Sequence, residues 1–154
     1  MNHSRRKAIK TGGGVLAMLF AAGVIGPEMA LAQGLGESAF SMKTLAEAMR
    51  AVGAQSPATS DAIVIKAPSI AENGAVVPVS IESRLPGTES ITLLVEKNPT
   101  PLVASFGIPA GTEGNISTRV KMGQTSDVYA LVKADGKFFM AKQEIKITLG
   151  GCGG

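Results

Sequence analysis

Most of the side chains that usually carry enzyme chemistry are scarce in this sequence. Its 154 residues include no tryptophan, one histidine (His3), one tyrosine (Tyr129) and one cysteine (Cys152). Because His3 lies in the leader described next, the mature chain has no histidine to activate a nucleophile and too few ligands for a His/Cys zinc site. The acidic residues form no cluster that suggests a carboxylate site. The sequence therefore predicts no catalytic, cofactor-binding or metal-binding residues.

The first 32 residues have the features of a bacterial export signal. A basic start that contains the pair Arg5-Arg6 is followed by an apolar, glycine-rich run and then by Ala30-Leu31-Ala32, which offers the small residues that a signal peptidase needs. The apolar run is shorter than the roughly 20 residues of a membrane-spanning helix. The arginine pair favours the twin-arginine route over an ordinary secretory signal. We therefore predict a twin-arginine signal peptide over residues 1–32 and a periplasmic location.

Removal of the leader changes the charge balance of the chain. The leader holds four of the 15 basic residues and one of the 12 acidic residues, which leaves 11 of each kind. A chain with no formal net charge lacks the basic footprint that nucleic-acid binding requires. We expect no nucleic-acid partner and, once the leader is cleaved, no membrane association.

Residues 33–60 are predicted to form an N-terminal amphipathic helix and a linker. Between residues 38 and 54, apolar side chains recur at helical spacing, good helix formers lie between them, and Gly53 is a plausible stop. Residues 55–60 have the composition of a linker. The apolar positions of the predicted helix are Phe40, Leu45, Met49 and Val52.

Residues 61–149 alternate between apolar and other side chains with the period of a β-strand. Turn-forming residues separate the runs, and Asp135-Gly136 between two runs is a strong hairpin signal. About seven short strands predict a mainly β domain, an antiparallel β-sandwich of the immunoglobulin-like kind. Pro78 predicts an edge position or a bulge for its strand. The runs contain Ile63 and Ile65; Val77, Val79 and Ile81; Ile91, Leu93 and Val95; Ile116, Thr118, Val120 and Met122; Val128, Ala130 and Val132; Phe138 and Met140; and Ile145, Ile147 and Leu149.

Two of the predicted strands are apolar on both faces. They contain Leu93-Leu94-Val95 and Phe138-Phe139-Met140. In a sandwich this small, only one face of each sheet is expected in the core. The surplus apolar residues therefore either lie beneath the N-terminal helix or form a surface for a partner, and the sequence favours neither interpretation.

The last five residues place a single cysteine among four glycines, as Gly150-Gly151-Cys152-Gly153-Gly154. Glycine-rich segments behave as flexible coil, because glycine reaches backbone conformations that are closed to other residues. Fully extended, the link from Leu149 carries the sulfur on the order of 10 Å beyond the edge of the domain. No bulky side chain on this arm hinders entry into a narrow channel. The sequence thus predicts a flexible carrier tail over residues 150–154.

The setting of Cys152 indicates what its thiol does. Exported proteins usually pair their cysteines, so a lone one indicates an intermolecular bond or a reactive thiol. No cationic side chain lies beside Cys152 to favour the thiolate, so activation has to come from an enzyme that receives the tail. We therefore predict a covalent attachment point for a substrate. Two alternatives stay open: a structural protein that forms a disulfide-linked dimer through Cys152, and a small thiol enzyme such as a sulfurtransferase.

Two segments of the chain resemble the SoxY family, the sulfur-carrier subunits of the periplasmic Sox system of thiosulfate oxidation. The first is APSIAENGAVVPV at residues 67–79, and the second is ITLGGCGG at residues 147–154. The twin-arginine leader is also similar to that of the family. The resemblance extends over essentially the whole chain, and its terminal motif is short but specific by its position.

The resemblance implies a role for Cys152 and a set of partners. A c-type cytochrome enzyme would join the thiol oxidatively to the sulfane sulfur of thiosulfate, a hydrolase would release sulfate, and a sulfur dehydrogenase or a related route would process the remaining sulfur. The carrier would not itself be an enzyme. It would pair as a heterodimer with SoxZ, a second sandwich protein that lacks a leader. Export of the pair agrees with the twin-arginine route, because that route moves folded proteins.

Overall fold

Nine strands follow a short helical segment in the computed structural model, which describes residues 36–148. Seven of these strands have four or more residues, and the mainly β class predicted from the sequence is confirmed. No helix in the described range is long and apolar enough to cross a membrane. The strands are β1 (Ala58–Thr59), β2 (Ile63–Lys66), β3 (Ile70–Ala71), β4 (Val77–Ser83), β5 (Thr88–Val95), β6 (Leu102–Gly107), β7 (Gly114–Val120), β8 (Ser126–Ala134) and β9 (Lys137–Ile147).

The strands form two sheets. In the larger sheet the order is β1-β9-β8-β5-β6, with β3 also paired to β9, and in the smaller sheet it is β2-β4-β7. The longer strands pair antiparallel, as predicted, whereas β1 and β3 run parallel to β9. These two short strands were not predicted, because a two-residue strand is too short to show a period. The immunoglobulin-like assignment stays a prediction.

The main hydrophobic core lies where the apolar faces of the two sheets meet. Strand β4 contributes Val77, Val79 and Ile81, and strand β5 contributes Ile91 and Leu93; all five are almost completely buried and belong to one cluster. Their spacing of two puts each set on one face of its strand. Burying an aliphatic side chain of this size contributes about 1.5–3 kcal/mol relative to leaving it exposed.

A second apolar cluster covers the outer face of the larger sheet. It joins Ala48 of the N-terminal helix to Leu94 and Leu131 of the sheet, and Phe138 and Met140 pack against it. The first interpretation of the surplus apolar residues is therefore confirmed for Leu94, Phe138 and Met140, which lie beneath the N-terminal segment.

The N-terminal segment is a 3₁₀ turn (Glu37–Ser41) followed by a separate helix α1 (Leu45–Ala51), so the prediction of one continuous helix over residues 38–54 is wrong. A capping box lies at the start of helix α1. The hydroxyl of Thr44 accepts a hydrogen bond from the Glu47 backbone, and the Glu47 carboxylate accepts one from the Thr44 backbone. The predicted stop is confirmed, because Gly53 follows the helix with a φ of +88°.

Removal of the capping box is expected to loosen helix α1. Thr44→Ala leaves the Glu47 backbone N–H without its acceptor at the helix start, which costs about 1 kcal/mol. Thr44→Ser keeps an acceptor oxygen and should restore most of the loss. Urea unfolding followed by circular dichroism measures both variants. Equal stability of Thr44→Ala and the unaltered protein would show that the cap contributes nothing here.

Three other features of the strands differ from the prediction. Strand β6 was missed, since its residues alternate poorly between buried and exposed positions. The two runs expected around Phe138 and Ile145 are one continuous strand, β9. Strand β4 is the central strand of its sheet and has no bulge, so the expected edge position is wrong. Pro78 itself lies opposite Arg119 of β7, past the end of the β2–β4 ladder, so it has a neighbouring strand on one side only.

The hairpin predicted at Asp135-Gly136 is confirmed. Strands β8 and β9 pair up to Ala134 and Lys137, which leaves a two-residue connection. Asp135 and Gly136 have φ values of 46° and 72°. Two successive positive φ values match the right-handed twist of the flanking strands, which explains the Asp-Gly sequence.

A charged network on the smaller sheet gives the fold a defined acid sensitivity. Hydrogen bonds from Lys66, at 2.7 Å, and from Arg84, at 2.9 Å, lower the pKa of Glu82 from 4.5 to about 2. Because the pKa is lower in the folded state, the contribution of Glu82 to stability is complete above pH 4.5 and is lost as the pH falls towards 2.

The Glu82→Gln variant should therefore show a flatter dependence of its urea midpoint on pH between 4.5 and 2 than the unaltered protein. Added salt should reduce the difference, since the three side chains are partly exposed to solvent. Parallel curves for the two proteins would mean that the network does not couple to folding.

Candidate functional site

The described part of the chain ends at Thr148, immediately after strand β9 and four residues before the cysteine. Residues 146–148 form the root of the predicted carrier tail, and we call them the tail base. The structure shows what holds this base. The predicted site residues themselves lie outside the described range: Cys152, Gly150, Gly151, Gly153 and Gly154 of the tail, and Arg5 and Arg6 of the leader.

Strand β3 holds one side of the tail base. The backbone N–H of Lys146 donates to the carbonyl of Ser69 at 2.9 Å, and the N–H of Thr148 donates to the carbonyl of Ala71 at 3.1 Å. In register, Ile70 lies opposite Lys146. Backbone hydrogen bonds of this short parallel pair therefore extend to Thr148, the last described residue.

The other side of the tail base is held by Thr125, the residue immediately before strand β8. The last β8–β9 pair joins Ser126 to Ile145, and one step further the backbone N–H of Ile147 donates to the Thr125 hydroxyl at 3.0 Å. The Ile147 side chain packs against the main core. The chain is therefore held on both sides as far as Thr148, the last described residue.

A tight turn next to the tail base brings Gly74 close to it. The side chain of Asn73 accepts a hydrogen bond from the Ala75 backbone at 3.0 Å, which stabilises the turn. The Met122 N–H donates to the Gly74 carbonyl at 2.7 Å. A Cβ atom on Gly74 would overlap the carbonyl oxygen of Met122 and lie 3.2 Å from Cγ2 of Ile147. Only glycine fits this approach.

These contacts join the two segments on which the resemblance rests. Residues 69–74 belong to the first segment, and Ile147 and Thr148 belong to the second. The sequence singled out both segments but predicted no contact between them. It also gave no role to Thr125, and placed Met122 only in a predicted strand, because their contribution to the tail base is a contact between residues that are distant along the chain.

The charged groups on the outer face of the larger sheet are paired with one another. The Lys142 ammonium lies 2.9 Å from an Asp127 carboxylate oxygen, and this hydrogen bond raises the pKa of Lys142. Burial, followed by the nearby charge of Glu96, raises the pKa of Tyr129. Both side chains therefore keep their protons at neutral pH, so neither supplies a base. Within residues 36–148, no three His, Cys, Asp or Glu side chains are placed to hold a metal ion.

Comparison with known protein families identifies the chain. The family described as sulfur oxidation protein SoxY matches residues 48–152, which is more than half of the sequence. The chain belongs to the SoxY family. The match ends at Cys152, so it includes the predicted attachment residue. Membership of SoxY supports a role in sulfur oxidation and confirms the resemblance found in the sequence.

A solved structure agrees with the SoxY assignment. The sulfur carrier protein SoxY from Chlorobium limicola f thiosulfatophilum is 38% identical in sequence, and the superposition has a TM-score of 0.63. The alignment covers 69% of this chain and 97% of that one. No curated protein sequence gives a significant match.

Proposed function

We propose that this chain is a periplasmic carrier that holds sulfur intermediates of thiosulfate oxidation on the thiol of Cys152. The observation that carries the proposal is a SoxY match that extends to Cys152, the only cysteine in the sequence. The chain supplies the attachment point and its position, and partner enzymes supply the catalysis. The absence of a cationic side chain beside Cys152 supports this division of roles.

The loading step is an oxidation. The S–H bond of Cys152 breaks and a bond forms between its sulfur and the sulfane sulfur of thiosulfate. One proton is released, and two electrons pass to a c-type cytochrome enzyme. A hydrolase then adds water across the terminal S–SO₃ bond, which releases sulfate and a proton and leaves a persulfide on the cysteine. A sulfur dehydrogenase or a related enzyme processes this remaining sulfur.

The tail base and the glycine arm have complementary roles in this proposal. Hydrogen bonds on both sides of β9 fix the chain as far as Thr148. Beyond it, Gly150 and Gly151 give the arm a slender path, and Cys152 lies four residues past Thr148. At full extension these four residues span about 14 Å. The thiol can therefore enter a channel in one enzyme after another while the domain stays outside.

The proposal includes the export route and a permanent partner. Residues 1–32 serve as a twin-arginine signal, and residues 150–154 serve as the carrier tail. The mature chain pairs with a SoxZ-like β-sandwich subunit, and the two are exported together as a folded heterodimer. Purification of the untagged carrier from its own periplasm should yield this second small β-protein.

A thiol-protection assay tests the proposed attachment. The carrier is incubated with thiosulfate and the c-type cytochrome enzyme and is then treated with a maleimide polymer that retards any chain with a free thiol on a gel. We expect the retarded band to disappear and to return after reduction with dithiothreitol. A thiol that stays free throughout would contradict the proposal. A dimer band on a non-reducing gel that persists during turnover would favour the disulfide-linked structural protein instead.

A further inference from the structure

Large apolar side chains are exposed at few points within residues 36–148. They are Ile70, which is 56% exposed, Val76, which is 49% exposed, and Phe40, which is 39% exposed. Ile70 and Val76 lie next to the tail base. Phe40 belongs to the 3₁₀ turn of the N-terminal segment. Exposed apolar side chains beside a predicted site are candidates for contact with a partner.

Both side chains belong to the segment that holds the tail base. Ile70 lies opposite Lys146 in the β3–β9 pair, at the spacing of about 4.8 Å between neighbouring strands. Val76 follows Gly74 by two residues, so their Cα atoms are at most about 7 Å apart. Gly74 in turn packs against the side chain of Ile147. We call Ile70 and Val76 the apolar rim of the tail base.

The length of the arm determines what comes to this rim. Cys152 is four residues beyond Thr148, so its Cα reaches at most about 14 Å from that of Thr148. An enzyme that encloses the sulfur in a channel must therefore bring the mouth of the channel to within about 14 Å of Thr148, and closer by the depth of the channel. The protein surface around such a mouth is the surface that can reach the residues beside the base.

The size of the rim indicates a transient contact. A stable interface between subunits buries about 800 Å² on each partner, far more than two partly exposed side chains provide. A carrier that serves several enzymes in turn needs contacts that form and break quickly. Two anchors on a rigid backbone satisfy this requirement, because they lose little conformational freedom when an enzyme binds.

We propose that Ile70 and Val76 form a docking rim for the enzymes that act on the sulfur held by Cys152. The partner surface is an apolar collar around the mouth of the channel that receives the arm. The rim adds affinity for the carrier domain and takes no part in the chemistry at the sulfur. This inference rests on the proposed function, because it takes the arm to be the part that enters the enzyme.

The test compares binding of rim and control variants in a Cys152→Ser background, where no covalent bond can form. The rim variant is Ile70→Ser/Val76→Ser. The control is Phe40→Ser, which removes a large exposed apolar side chain from the N-terminal segment. Each protein, together with its natural partner subunit, is titrated against the c-type cytochrome enzyme. We expect the Kd of the rim variant to rise about tenfold and that of the control to stay within about twofold.

A kinetic assay with Cys152 restored supplies a second readout. The KM for the carrier should rise about tenfold in the rim variant while kcat at saturation is unchanged, and a small disulfide reagent should react with the thiol at the same rate in every variant. Equal Kd values for the rim variant and the control would overturn the docking rim. So would loss of the partner subunit from the rim variant, since the residues would then belong to the permanent interface. If the unaltered carrier is never conjugated, the proposed function fails, and the Kd comparison still decides the rim.

Discussion

Replacement of Cys152 by serine is expected to abolish thiosulfate turnover by the reconstituted system without unfolding the carrier. A serine oxygen cannot form the disulfide-type bond to the sulfane sulfur, and the sequence contains no second cysteine to take over. The two core clusters and both sheets consist of residues within 36–148, so the substitution removes none of the contacts among them. Sulfate release and thermal unfolding, measured on the same preparation, check the two halves of this expectation.

A relocated thiol provides the matched control for this variant. Ser56 is exposed, in the connection between helix α1 and strand β1. The double variant Ser56→Cys/Cys152→Ser again has one thiol per chain, but holds it on the domain and not on the arm. We expect it to stay as inactive as Cys152→Ser alone. Recovery of turnover would mean that a thiol suffices wherever it is placed, and unfolding of Cys152→Ser would indicate a structural cysteine.

Substitution of Gly74 by alanine should cause the largest loss of stability of any single methyl group added near the tail base. The new Cβ atom would overlap the Met122 carbonyl oxygen and press on the Ile147 side chain. Because the overlapping atom belongs to the backbone, relief requires the turn or the chain around Met122 to shift. Overpacking of this kind costs about 1–3 kcal/mol, which urea unfolding followed by circular dichroism measures directly.

Gly123 offers the control, one residue away from Met122. A Cβ atom at Gly123 would meet no atom within 4 Å, so Gly123→Ala should change the stability by less than about 0.5 kcal/mol. The two variants add the same methyl group to the same region and differ only in the space that receives it. Identical urea midpoints for both would show that the close approach at Gly74 does not constrain the fold.

The sequence predicted the strands whose alternation is strong and continuous. In β4 the inward positions are buried apolar residues. The Asp135-Gly136 pair is a strong turn signal and predicted the hairpin between β8 and β9. Strand β6 and the two-residue strands β1 and β3 were missed, since short or edge strands are specified by their neighbours more than by their own pattern. Thr44 and Glu47 have the spacing of a capping box, which marks the start of helix α1. The helical spacing of the apolar residues continues on both sides of this start, so the sequence predicted one longer helix.

Part of the candidate site could be predicted from local sequence, and part depends on contacts between distant residues. Cys152 is evident from composition, because it is the only cysteine and glycines surround it. The support of the tail base depends on Thr125 and Gly74, which meet Ile147 across 22 and 73 positions of the chain. No periodicity or turn signal specifies a contact between residues so far apart, so only the folded chain reveals it.

Intact-mass spectrometry of the carrier after incubation with thiosulfate and the c-type cytochrome enzyme tests the central claim most directly. We predict that each chain gains the mass of S₂O₃, since the product keeps one acidic hydrogen as the thiol did, that peptide analysis locates the gain at Cys152, and that dithiothreitol removes it. An unchanged mass, or a gain located elsewhere, would contradict the claim that this chain carries sulfur on its terminal cysteine.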